Sequence, residues 1–188
     1  MCYNQLEDHR KGTREAKFSM EYKEYPILEE LDAAGVGYVL IKHEALATME
    51  LCRGVGAEYG AQHCKNLFLA SRNGKRFCLL LMDADKPFRT GEVSGKLGLP
   101  RMGFGTEEQL EAVLGLKQGS VSALGLLNRQ AENAYRGGAL KLAVDARVRS
   151  RKKICVHPNE NTATLVMDTD ELFGFLASRG FVFEIVTV

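Results

Sequence analysis

The residues of this chain with the types and spacing for chemistry fall into two groups. The first is a candidate metal set, His63 beside Cys64, and Cys155 separated from His157 by a single residue. Two thiolates and two imidazoles would make a tetrahedral set suited to zinc. Adjacent strand residues point to opposite faces, so His63 and Cys64 are expected to converge poorly. Isolated cysteines in apolar strands also serve more often as small hydrophobes. The second group is Lys65-Asn66 together with "HPNENTATL" at 157–165. There His157 ends an apolar run, and Pro158 lacks the N–H that a strand ladder needs. Asn159, Asn161, Thr162 and Thr164 then crowd polar groups into a short stretch. By spacing alone this is a turn with a satisfied histidine, and Lys65 is a solvated lysine at a strand entrance.

Other familiar chemistries find no footing. "GVGAEYG" at 54–60 has one residue too many for G-x-G-x-x-G, and no G-x-x-x-x-G-K-[ST] occurs. A serine hydrolase would favour a G-x-S-x-G elbow, and "GSVSALG" has the wrong spacing for it.

The elements that must position these residues can be read in order. Ile27, Leu28, Leu31 and Ala34 recur at helical spacing, with Pro26 near the start and Gly35 at the stop. Tyr38 to Ile41 reads as a strand, and Thr48 as a helix N-cap. Residues 64–82, "CKNLFLASRNGKRFCLLLM", form a hairpin around Asn73-Gly74, the strongest local signal in the chain. A short helix is expected over 90–97, ended by Gly98, and a second helix at "TEEQLEAVLG", where Thr106 and Gln109 form a capping box. "LKLAVDARV" and "KKICVHP" are strand candidates, Asp168 opens a last helix through about Ser178, and "FVFEIV" reads as a closing strand. Strands and helices without regular βαβ alternation predict an α/β fold with a mixed, partly antiparallel sheet flanked by helices.

A chain of 188 residues fits one well-filled core. The expectation is a flexible arm over 1–22 and a single domain over 23–188. Apolar residues at 45% and charged residues at 26% are ordinary for a soluble protein. A net charge of +1 gives no global sign of a nucleic-acid binder but leaves a local basic patch open. Five cysteines without a C-x-x-C pair point to reduced thiols and a cytoplasmic protein. No apolar run is long enough for a bilayer, and the N-terminus has no secretory apolar segment.

Several motifs, in order, carry a family resemblance: "KNLFL" at 65–69, "LLLMDADKPFRTGEVSGKLG" at 79–98, "GSVSALGLLN" at 119–128 and "HPNENTATL" at 157–165. On these the chain resembles the YbaK/ProX family of editing domains that deacylate mischarged tRNA, in particular its freestanding prolyl-tRNA-editing members. The resemblance runs from about Tyr25 to the last helix. It implies that Lys65 and His157 are the catalytic residues and that Asn66 and Asn159 contact substrate. Thr48 matches a threonine at the pocket mouth. Gly119, Ser120, Val121, Ser122 and Ala123 match a G-x-x-x-P loop that contacts the amino acid and the terminal adenosine, with Ala123 in place of the proline.

The implied reaction is hydrolysis of an aminoacyl ester, with alanine on proline tRNA as the expected substrate. Cysteine on proline tRNA, serine or threonine on their own, and a non-catalytic tRNA- or synthetase-binding module are the alternatives. Such an ester needs a positioned water and oxyanion stabilisation rather than a dedicated nucleophile. No cofactor and no metal are implied. The expected partner is tRNA at its 3′ end, with prolyl-tRNA synthetase or an elongation factor as further partners and no membrane. The candidate tRNA-binding cations are Lys86, Arg89, Lys96 and Arg101, and Arg149, Arg151, Lys152 and Lys153, the second group leading directly to His157.

Overall fold

The computed structural model of the chain describes residues 7–8, 21–46 and 49–188. Thr48 and most of the expected arm over 1–22 lie outside the described residues. The Asn73-Gly74 turn forms as the sequence predicts. Gly74 takes φ 64°, a left-handed conformation that glycine adopts without a Cβ penalty, and the Asn73 side chain accepts the Lys75 N–H. This turn sets the register of β3 (Gln62–Ser71) on β4 (Phe77–Asp83), with Leu67 opposite Leu80 and Leu69 opposite Cys78. Every residue of β4 is buried, as expected for a central strand covered on both faces.

Around this hairpin the described strands form one nine-stranded mixed sheet. Its members besides β3 and β4 are β1 (Glu7–Asp8), β2 (Tyr38–Lys42), β5 (Met102–Phe104), β6 (Leu140–Asp145), β7 (Lys153–Val156), β8 (Ala163–Asp168) and β9 (Glu184–Val186). The order is β1-β2-β8-β7-β3-β4-β6-β9, with β5 beside β3. β7 runs parallel to the first residues of β3, whereas β4 and β5 run antiparallel to the rest of it. This is the mixed α/β architecture that the sequence predicts.

The helices are α1 (Ile27–Ala33), α2 (Met49–Cys52), α3 (Thr90–Lys96), α4 (Glu107–Leu114), α5 (Arg129–Arg136), α6 (Ala146–Arg149) and α7 (Thr169–Ser178). Leu28, Leu114 and Leu172, from α1, α4 and α7, pack with Phe68, Leu79 and Leu81 of the sheet in the largest core cluster. Val93 of α3 and the adjoining Leu97 pack with Leu69, Leu80 and Met82 in a second cluster. The alternation of Phe68 with Leu69, and of Leu79 with Leu80, between the two clusters is the period-2 signature of a sheet covered on both faces.

Several elements differ from the sequence expectation: "LKLAVDARV" is strand only to Asp145, whose side chain caps α6 from Ala146 on, and the short β5 was not anticipated. The tail of "HPNENTATL" is not a turn but the start of β8, whose "ATLVMD" has no alternation because five of its six residues are buried. α5 was not expected because "RQAENAYR" buries only Ala131, so it carries no apolar stripe. The closing strand is three residues, Glu184–Val186, shorter than "FVFEIV" suggests.

Candidate functional site

Successive residues of β3 alternate between faces, and this alternation divides Lys65 from Asn66. Asn66 shares its face with Cys64 and Phe68 of the main core, whereas Lys65 shares its face with Leu67 and Leu69 of the second. Asn66 opens onto a cleft of about 380 Å³, lined also by Phe68, Phe104, Thr106, Gly119, Val121 and His157. The Lys65 ammonium is not part of that lining and donates to the Lys86 carbonyl at 2.7 Å. The structure therefore brings Asn66 and His157 to one cleft and leaves Lys65 on the other face of the strand. Of the two residues that the resemblance joins as catalytic, only His157 lines the cleft.

The loop at 119–123 is held in the cleft wall by three ties. Asn66 Nδ2 donates to the Val121 carbonyl at 2.9 Å. Ser122 Oγ donates to the His157 carbonyl at 2.6 Å and accepts the Leu124 N–H, which caps the 3-10 turn Ala123–Leu127. Gly119, at φ 88°, leaves so little room that a Cβ there would stand 3.3 Å from the Asn161 side chain. Ser120, Ser122 and Ala123 are buried, so they shape the wall rather than present groups to the cleft, whereas Gly119 and Val121 line it.

His157 donates one ring N–H, at Nδ1, to the Ala163 carbonyl at 3.0 Å, which leaves Nε2 as the free acceptor. Burial lowers its pKa below the ordinary histidine range, so the ring is neutral near pH 7. Asn159 adopts φ 65°, an uncommon left-handed conformation outside glycine, and its buried Oδ1 has no hydrogen-bond partner among the described residues. His63 lies close by, its ring centroid 6.2 Å from that of His157. Burial pushes the thiols of Cys64 and Cys155 up to about 12, so neither is a thiolate nucleophile at neutral pH.

The candidate cations separate into two kinds. Lys86 grips both carboxylate oxygens of the fully buried Asp145, at 2.9 and 2.7 Å. Arg151 donates to the His63 carbonyl at 3.1 Å and pairs with Asp83. These two are internal struts, so the expectation that they meet tRNA phosphates is corrected. Lys96 pairs with Glu92, while Arg149 pairs with Asp170 and lies over the Phe173 ring. Arg89, Arg101, Lys152 and Lys153 are exposed and make no ion pair among the described residues.

Spacing alone did not point to Phe68, Phe104, Thr106 and Gln118 as cleft residues. Gly105 beside them is a usable signal, because a Cβ there would meet the Phe68 ring at 2.5 Å.

Comparison with known proteins agrees with the fold and the motifs. The chain is 28% identical over 160 residues to the prolyl-tRNA editing protein ProX of Acetoanaerobium sticklandii, covering 85% of this chain and 94% of that protein. It is 28% identical over 136 residues to the prolyl-tRNA synthetase associated domain-containing protein 1 of Danio rerio, covering 72% of this chain and 71% of that protein. A crystal structure of a protein proposed to be a trans-editing enzyme for prolyl tRNA synthetase superposes with a TM-score of 0.61 at 15% identity, covering 87% of this chain and 94% of that one. Residues 43–175 match the aminoacyl-tRNA editing domain, and the chain belongs to that family.

Proposed function

We propose that this chain is a trans-acting aminoacyl-tRNA deacylase, with alanine on proline tRNA as its substrate. The observation that carries the reading is the cleft in which Asn66, His157 and the 119–123 loop meet, inside a chain of the editing family. In the reaction, water adds to the ester carbonyl and the 3′-oxygen of the ribose leaves as the hydroxyl, taking up a proton. The free His157 Nε2 accepts a hydrogen bond from a ribose hydroxyl or the amino group of the ester. Asn66 holds the loop at the right spacing, whereas Asn159, whose Oδ1 is buried and outside the cleft lining, supports the wall rather than the substrate. No residue need act as nucleophile, which fits four buried thiols and the lack of a serine elbow.

The resemblance assigns Lys65 to the reaction, and its ammonium, tied to the Lys86 carbonyl, stands outside the cleft lining. Lys152 and Lys153, with Arg89 and Arg101, are the cations left to meet phosphates. Residues 23–188 are taken as the working unit, and a synthetase or elongation factor as the partner that hands over the charged tRNA. Among the described residues, no helix is long and apolar enough to cross a membrane.

A second editing pocket makes physical sense for this pair of amino acids. Alanine is smaller than proline, so a site shaped for proline has no steric means of shutting it out, and a second, tighter cleft can remove what the first admits. The test is single-turnover deacylation of alanyl proline tRNA beside cysteinyl proline tRNA and seryl tRNA, with wild type, Asn66→Ala, His157→Ala and Lys65→Ala. The expected result is fastest release of alanine, with His157→Ala and Asn66→Ala slower by about 10–100-fold, on the scale of a lost positioning contact. No release of alanine by wild type overturns the proposal. Normal rates in all three variants would show that Asn66, His157 and Lys65 do not carry the reaction.

A further inference from the structure

Three side chains from three separate elements converge beside the cleft. They are Cys52 at the end of α2, His63 on β3 and His157 after β7, and one ligand atom of each lies within 4.8 Å of the other two. Cys52 and His63 are buried and His157 is half-buried.

Each imidazole is already oriented by a backbone carbonyl. His63 donates from Nε2 to Val55 at 3.1 Å, and His157 donates from Nδ1 to Ala163 at 3.0 Å. The free lone pairs are therefore those of His63 Nδ1 and His157 Nε2. Metal-ligating histidines characteristically donate their second N–H to a carbonyl or carboxylate in this way. The Cys52 sulfur makes no hydrogen bond among the described residues.

The turn that carries the Val55 carbonyl is itself constrained. Gly56 takes φ 80°, and a Cβ there would come within 2.8 Å of both Cys155 Sγ and a Val166 methyl. Glycine is what lets the segment after Cys52 lie this close to the sheet.

We propose that Cys52, His63 and His157 form a binding site for Zn²⁺, with a fourth position open toward the cleft that His157 lines. Tetrahedral zinc would hold these atoms about 3.4–3.6 Å apart, and they already lie within 4.8 Å of one another. As the S–Zn bond forms, Cys52 releases its thiol proton to solvent while the imidazoles bind unchanged. Zinc would then take the His157 Nε2 that the deacylation proposal gives to the ester end. The site would thereby act as a zinc-sensitive brake, a consequence that rests on that proposal, although the binding itself does not.

The experiment uses the purified full chain, stripped with a chelator and titrated with Co²⁺ and then Zn²⁺. One Co²⁺ per chain is expected, with tetrahedral ligand-field absorption and a thiolate-to-cobalt charge-transfer band that Zn²⁺ abolishes. Cys52→Ser should remove the charge-transfer band, and His63→Gln should weaken binding on the order of 100-fold or more. Cys78→Ser, distant from the cluster, should leave both properties intact. Circular dichroism confirms that each variant remains folded. No stoichiometric Co²⁺ on the wild type overturns the site, as does an octahedral spectrum without charge transfer. A charge-transfer band retained in Cys52→Ser overturns it as well. None of these readouts involves tRNA, so failure here leaves the deacylase proposal standing, and the reverse holds too.

Discussion

Replacing Lys86 by methionine separates a structural cation from a tRNA-binding one. Its side chain is 15% exposed and its ammonium bonds both oxygens of Asp145, whose side chain is 0% exposed. Methionine keeps most of the stem volume but leaves the carboxylate with the Arg147 N–H, at 2.9 Å, as its remaining partner among the described residues. Stranding one half of a buried ion pair costs about 3–5 kcal/mol. For a chain of this size each kcal/mol lowers the melting temperature by about 2–4 °C, so the fall should be roughly 6–20 °C. Adding Asp145→Asn removes the stranded charge and keeps an acceptor for the helix cap, so the double variant should recover much of the loss. The assay is thermal unfolding by circular dichroism for wild type, both singles and the double, beside tRNA binding below all the transitions. Unchanged binding with the large melting shift is expected. A melting temperature within about 2 °C of wild type, with weakened tRNA binding, would refute the reasoning and return Lys86 to the tRNA face.

Two further predictions follow from other parts of the chain. Ala123 is the first residue of a 3-10 turn and follows Ser122, which is extended at φ −143° and ψ 151°, so both positions suit a proline. Ala123→Pro should therefore raise stability by about 0.4–1 kcal/mol in urea titrations, and a loss of stability would show that the wall has no room for the ring. Burial pushes the Cys78 thiol up to about 12 from its ordinary 9.0, so between these values the folded protein holds a proton that the unfolded chain has lost. Stability from this group is full below about pH 9 and falls as pH rises toward 12. Cys78→Ala should flatten that alkaline decline, and an unchanged slope assigns the decline to other groups.

How much of this was legible in the sequence depended on how local the signal was. The Asn73-Gly74 hairpin and the Thr106–Gln109 capping box are written in a few adjacent residues, and both formed. β8 was hidden because a strand buried on both faces has no polar alternation to announce it, and polar Asn159 to Thr162 precede it. At the site, the period-2 rule governs both pairs of neighbours on β3. It sends Lys65 and Asn66 apart, although one motif joins them. It also separates His63 from Cys64, and His63 finds His157 and Cys52 as partners instead, residues that no local spacing links. Whether a lysine is solvated or spent on a buried carboxylate 59 positions away, as for Lys86 and Asp145, is decided by tertiary packing alone.

The dual pairing of β3 has a consequence for how the protein is made. Its hairpin with β4 is local and can close as soon as those residues are free. Its parallel partner β7, which sets Gln62 beside Ile154, is among the later segments to be synthesised. Long-range parallel pairing is slow because a large loop must close before any contact compensates for the lost entropy. The local half of the site, Asn66 on its hairpin, is thus encoded separately from the half that carries His157, and the cleft exists only once β7 has paired with β3.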